Sequence, residues 1–412
     1  MSRDIRRLIL LLVAVAACHP APSVAPRVLS ERWFATWAAS QLEGPPRPPA
    51  DSVDRRPTYS NRTLREIVHT TIGGNRVRIR VSNEYGDRPL MIGSAHIAVR
   101  DTGSAIVAAT DRVLTFGGRK SVVVRQGATI ISDPATLAVP QLGDLAVSLY
   151  IADTARATTR HALALQTNYV SSEGDFTAST TLAADTIRSW LFLSGVDVVN
   201  PAATGVIVAL GNSITDGASS TPNTNRRWPN ILAARLLAST SEPPKGVVDA
   251  GISGNRVLSP GAGPSALARF DRDVLMQPGV THVIVLEGIN DLNPRTPVSA
   301  DEIIFGLRQL AQRAHERGLQ IYGATLTPAA RLRGFTDELE AKRQAVNAWI
   351  RTGGAFDAVI DLDMATRDPS HPSQFLPAFD SGDHLHPSDA GHRAMGEAID
   401  LALFRGGFDR ER

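Results

Sequence analysis

The stretch Val206-Ile207-Val208-Ala209-Leu210-Gly211-Asn212-Ser213-Ile214-Thr215-Asp216-Gly217 decides the architecture of this chain. Residues 206–210 are all apolar, and a run without alternation reads as a strand covered on both faces. Two glycines then bracket a polar turn that presents the Ser213 hydroxyl where the next helix begins. The start of a helix also leaves backbone N–H groups unpaired, which makes it a natural place for negative charge. Taken alone, a serine after a strand is an ordinary helix cap. The G-x-S-x-G elbow of α/β-hydrolases occurs nowhere in the sequence.

Downstream the same texture recurs. Residues 247–250, 282–286, 320–324 and 358–362 are short, mostly apolar runs, and residues 229–237, 301–317 and 337–351 between them carry apolar side chains at helical spacing. Ser299, Asp301 and Glu302 supply a cap and first-turn acids for one of these helices, and Gly318 supplies its stop. Alternating strands and helices predict a doubly wound α/β domain of about five parallel strands over residues 205–405. Ligands of such sheets bind beyond the carboxyl ends of the strands, so the residues that follow each run are the ones to inspect.

Upstream the period changes to two. Residues 77–81 alternate, and residues 121–124, 146–151 and 161–166 are short β-rich runs separated by turn signals such as Gly73-Gly74-Asn75 and Phe116-Gly117-Gly118. This pattern predicts an antiparallel β-sandwich over residues 29–195, followed by a connector at 196–204. The proline-rich residues 46–57 fit a surface loop, because proline cannot donate to a central ladder.

Composition narrows the function classes. With 43 basic and 41 acidic residues the net charge is +2, and no aromatic and basic residues interleave, so nothing suggests a nucleic-acid partner. At the N-terminus Arg3, Arg6 and Arg7 precede the apolar residues 8–17, a run too short to span a bilayer but suited to an export signal. The single cysteine, Cys18, follows Val15-Ala16-Ala17, which resembles the lipobox of bacterial lipoproteins. That resemblance implies a signal over residues 1–18, lipidation at Cys18, a tether at 19–28, and a membrane anchor on the periplasmic or extracellular side. An ordinary cleaved signal is the alternative.

The chemistry gathers in four loops. After the second run comes Gly251-Ile252-Ser253-Gly254-Asn255, and after the third comes Gly288-Ile289-Asn290-Asp291. A glycine N–H and an asparagine amide suit an oxyanion. Near the end of the domain stands Asp380-Ser381-Gly382-Asp383-His384-Leu385-His386-Pro387. A serine hydroxyl attacks only when a histidine takes its proton, and that histidine needs a carboxylate to fix its tautomer. Asp383 and His386 stand three positions apart, which lets the carboxylate curl back onto the ring, whereas His384 projects to the other side. The competing reading is a metal site built from Asp383, His384, His386 and His392. That reading leaves Ser213, Gly254 and Asn290 without a role. His161, in a strand-like run of the first region, is one more contact candidate.

In this order the blocks resemble the SGNH (GDSL-type) hydrolase family. The resemblance implies a flavodoxin-like α/β/α domain, a Ser213 nucleophile, Gly254 and Asn290 as oxyanion donors with the Ser213 N–H, and an Asp383–His386 pair. It implies no cofactor and no metal. Its activities include carbohydrate deacetylases, arylesterases, thioesterases and phospholipases, and residues 33–40 look like those of bacterial members that carry a β-sandwich before the hydrolase domain. The expectation is a secreted serine esterase acting on short acyl esters, acetyl above all, with an acylated polysaccharide as one candidate substrate. Lipase, acyltransferase or an inactive glycan-binding lipoprotein are the alternatives. One departure is Asn212, where the family usually has Asp before its serine.

Overall fold

In the computed structural model, residues 31–44, 56–240, 243–293 and 298–405 are described. The five expected apolar runs form one parallel sheet: Gly205–Gly211, Lys245–Gly251, Val280–Leu286, Gln320–Ala324 and Ala358–Ile360. Numbered along the chain, their spatial order is 2-1-3-4-5, the flavodoxin-like arrangement, and its switch point lies between the first strand and the third. Val208 stands opposite Val248 on one side and Val283 on the other, and the pairing with the third strand shifts register between Val206 and Ile207.

Alternate side chains of these strands enter two apolar layers. Val206, Val208, Val283 and Ile321 face one layer, shared with Ile303, Leu307 and Leu310 of the helix Ala300–His315. Ile207, Ala209, Ile284 and Tyr322 face the other, against Trp228, Leu232 and Met395 of the helices Trp228–Ala238 and Asp389–Ala398. Burial on both faces is why the strands read as unbroken apolar runs, each large side chain contributing about 1.5–3 kcal/mol. Ser299 and Glu302 form a reciprocal capping box at the first of these helices, as the S-x-x-E spacing predicts. Gly318 beyond its end takes φ +68°, a conformation that favours glycine.

The preceding region consists mainly of two antiparallel sheets. One contains Trp33–Ala38, Leu193–Val199, Gly74–Ser82 and Ala135–Val139 in that spatial order, and the other is built on Arg62–His69, Asp144–Ile151 and Leu90–Val99. Val77, Ile79, Val81, Ile97, Leu149 and Val198 from both sheets share one buried cluster. Two expectations need correction. Residues 196–199 are not connector: Val196 and Val198 are buried and belong to a strand paired with both Trp33–Ala38 and Gly74–Ser82. Within 161–166 only His161 is strand, ending Thr159–His161, and the chain then turns with Leu165 at φ +49°.

Residues from Arg32 onward cluster into one compact unit, and the two regions meet closely within it. The Ala35 N–H donates to the Pro278 carbonyl at 2.9 Å, and the Val247 N–H donates to Thr71 Oγ1 at 3.1 Å. At Gly279, where φ is +79°, a Cβ would stand 2.5 Å from the Phe34 ring, so glycine permits this approach. Cys18 and the expected signal and tether lie outside the described residues. Among the described residues no helix is long and apolar enough to cross a membrane.

Candidate active site

Ser213 opens a short helix, Ser213–Asp216, directly beyond the first parallel strand and beside the switch point. Asn212 caps that helix, its Oδ1 accepting from the Ile214 N–H at 3.0 Å. The flanking glycines have steric causes. A Cβ on Gly211 would come within 2.2 Å of Thr215 Oγ1, and Gly217 adopts φ +93°. Ser213 itself is almost buried.

The loop expected to carry base and acid lies beside Ser213. Ser213 Oγ lies 2.8 Å from His386 Nε2, and His386 Nδ1 lies 2.6 Å from Asp383 Oδ2. Asp383 Oδ1 accepts the N–H groups of Leu385 and His386 at 3.0 and 2.8 Å. Burial pushes this carboxyl up, but the His386 amide, the His386 ring and the Leu385 amide outweigh it and hold its pKa at about 2. Asp383 is therefore ionised at any neutral pH.

The three histidines of the loop and final helix do not converge. His384, at φ +66°, turns its Nδ1 to Asp380 Oδ2 at 2.5 Å. His392 is buried with its Nε2 3.3 Å from the Ala218 carbonyl, and burial lowers its pKa to about 4. Among the described residues no group of three or more His, Cys, Asp or Glu side chains is placed to hold a metal ion.

The second and third loops meet each other. Asn290 Nδ2 donates to the Asn255 carbonyl at 2.9 Å, which engages one of its two amide hydrogens and leaves the other for a ligand. The Asp291 carboxylate accepts the Val257 and Leu258 N–H groups at 2.8 and 3.1 Å. Gly254 takes φ +80°, a turn that favours glycine. Beside Asn290 a cleft of about 270 Å³ is lined by Ile289, Leu292, Leu332, Phe335 and Leu385, together with the polar Asn293 and Arg333.

Sequence reasoning missed Arg269. Its guanidinium is buried and donates to the Gly211 carbonyl at 2.9 Å, the Ala250 carbonyl at 2.6 Å, Asn255 Oδ1 at 2.9 Å and Asp273 Oδ2 at 3.0 Å. It ties the ends of the first two strands to the loop after the second. The only local signal was an Arg–Asp pair at i,i+4, which usually marks a solvated helix face.

Residues 209–394 match the model of the GDSL-like lipase/acylhydrolase family. No curated protein matches the sequence. Similar solved structures include a GDSL-like lipase from Bacteroides thetaiotaomicron VPI-5482, at 20% identity over 48% of this chain and 88% of that one, TM-score 0.39. Another is a carbohydrate acetylesterase from Sinorhizobium meliloti, at 16% identity over 48% and 99%, TM-score 0.39. A third is an acetyl-xylooligosaccharide esterase from Geobacillus stearmophilus, at 22% identity over 52% and 100%, TM-score 0.38. Over residues 209–394 the chain thus carries a domain that matches the GDSL-like lipase/acylhydrolase family, which points to a carboxylic ester hydrolase.

Proposed function

We propose that the chain hydrolyses short-chain acyl esters through a Ser213–His386–Asp383 triad and an acyl-enzyme. The observation that carries this reading is the unbroken hydrogen-bond chain from Ser213 Oγ through both nitrogens of His386 to Asp383. A carboxylate at Nδ1 keeps the ring proton there and leaves Nε2 as the acceptor facing the hydroxyl. His386 takes the Ser213 proton as Oγ attacks the ester carbonyl carbon. The Ser213 and Gly254 N–H groups and the free Asn290 amide hydrogen hold the oxyanion. As the tetrahedral intermediate collapses, the imidazolium returns its proton to the departing alkoxide, leaving acyl-Ser213. Water, deprotonated by His386, then releases the acid and restores the hydroxyl.

An acetyl ester on a polysaccharide is the substrate class we favour, with the protein exported and anchored through Cys18. Support comes from the leader pattern, from the extra β region ahead of the hydrolase domain, and from the carbohydrate esterases among proteins of similar structure. A second reading, longer or aromatic acyl groups, is favoured by the Leu292, Leu332, Phe335 and Leu385 side chains in the cleft beside Asn290. Nitrophenyl acetate, butyrate and octanoate, assayed beside acetylated xylan and pectin, separate the two by chain-length preference. Ser213→Ala abolishes turnover on every substrate if the triad reading holds, and unchanged turnover sinks it.

A further inference from the structure

The N-terminal β region reaches the back of the catalytic loops. His161 is buried at the end of its strand, with Nδ1 2.8 Å from the Ser40 carbonyl oxygen and Nε2 2.9 Å from Asp216 Oδ1. A carbonyl oxygen can only accept, so Nδ1 donates to Ser40, and the carboxylate takes the second N–H. Burial favours the neutral ring, but the charge and hydrogen bond of Asp216, with the Ser40 carbonyl, raise its pKa above the ordinary value. Asp216 ends the helix that Ser213 begins. Its other oxygen accepts both the N–H and the hydroxyl of Ser253, at 2.9 and 2.6 Å, and Ser253 immediately precedes Gly254. A Cβ on Gly251 would stand 2.3 Å from the Asp216 N, so the two loops touch here without slack. Ser40 makes a second link, its Oγ 3.2 Å from Arg269 Nη1.

We propose that His161 is a positioning residue for ester hydrolysis: through Asp216 and Ser253 it sets the Gly254 loop against Ser213, making the β region part of the catalytic unit. The proposal rests on the triad reading above. A packing role alone is the competing account, since the His161 ring also lies 5.6 Å from the Trp190 ring. The two differ in what they move. Packing affects how much protein folds, whereas displacing an oxyanion donor affects turnover of the folded enzyme with little change in substrate binding.

The test uses the full chain and nitrophenyl acetate, with kcat, KM and Tm measured for His161→Leu, His161→Gln, Ser253→Ala and the Leu/Ala double variant. Removing either end of the chain should lower kcat about tenfold, a fraction of what losing an oxyanion donor outright costs, with KM within about threefold. His161→Gln keeps a donor towards Asp216 and should recover most of that loss. The double variant should be no slower than the worse single one, because both substitutions act on the same connection, of which Ser253→Ala keeps only the backbone N–H bond. Unchanged kcat in folded His161→Leu, or losses that multiply in the double variant, would overturn the proposal. If His161→Leu does not fold, His161→Gln with and without Ser253→Ala decides: unchanged kcat on losing Ser253 overturns it, and a kcat loss at constant KM upholds it. Turnover that survives Ser213→Ala would instead remove the triad reading on which it rests.

Discussion

Asp383→Asn probes the site most sharply, because the structure dictates which way the new amide turns. Oδ1 of Asp383 accepts two backbone N–H groups, from Leu385 and His386, while Oδ2 faces His386 Nδ1. Asparagine satisfies the two amides only by placing its carbonyl oxygen at the Oδ1 position. The reverse orientation sets an NH2 against two donors and forfeits both bonds, about 1 kcal/mol each, which disfavours it about 30-fold. In the favoured orientation the NH2 donates to Nδ1, so the ring proton moves to Nε2, where it points at Ser213 and cannot accept. The lost countercharge adds to this. An imidazolium–carboxylate pair near 4 Å is worth about 4 kcal/mol at a protein surface and about 1 in water. The Asp383 side chain is 48% exposed, so the lower figure applies, another factor of about five. Together these predict a fall in kcat/KM on the order of 10²-fold, less than the roughly 10⁴-fold seen where a triad carboxylate is buried. Hydrolysis of nitrophenyl acetate at neutral pH measures it, with Tm confirming that the variant is folded. A loss under about tenfold would refute the argument that Asp383 sets the tautomer.

Two further substitutions test the surroundings. His384→Ala should leave kcat within about threefold, because its ring is turned to Asp380, whereas His386→Ala should cost about 10³-fold or more. The same ester assay on both variants decides, and equal losses would reject the choice of His386. Glu287 is buried, and burial raises its carboxyl to about 8, offset in part by the charge of Arg269. Unfolded glutamate ionises near 4.5, so through the interval between those values the folded chain binds the extra proton and wild-type stability falls as pH rises. Glu287→Gln should therefore gain stability over wild type between about pH 5 and about pH 9 in denaturant titrations, and a pH-independent difference would contradict this.

How much of this was readable in advance followed from range. The parallel strands were legible because both faces are covered, so the apolar runs are continuous and need no partner to be recognised. Asp383 and His386 were legible because the contact is local, three residues apart in one turn. Contacts across the fold were not. Arg269 bonds to Gly211, 58 residues away, and His161 bonds to Asp216, 55 residues away, and nothing in the spacing chooses those partners before the sheet closes. The strand at 193–199 was cut short for the same reason: its partners at 33–38 and 76–81 lie more than a hundred residues upstream. Leu163 and Leu165 mimicked strand alternation in a segment that turns through a positive φ instead.

Asn212 shows how a departure from a family pattern can be explained by its neighbours. The residue is fully buried, and its Oδ1 already makes the helix cap that an aspartate there would make. Its Nδ2 points at the Leu286 carbonyl at 3.5 Å, an interaction a carboxylate lacks. Next in sequence to Leu286 is Glu287, near enough for the Asn212 side chain to influence its ionisation. Aspartate at 212 would place a second carboxyl beside a buried one that is already protonated, and like charges there could not both ionise. The chain thus keeps its buried acid at 287 and a neutral cap at 212. The turn that carries Ser213 is held by shape and hydrogen bonding, with no charge required at its base.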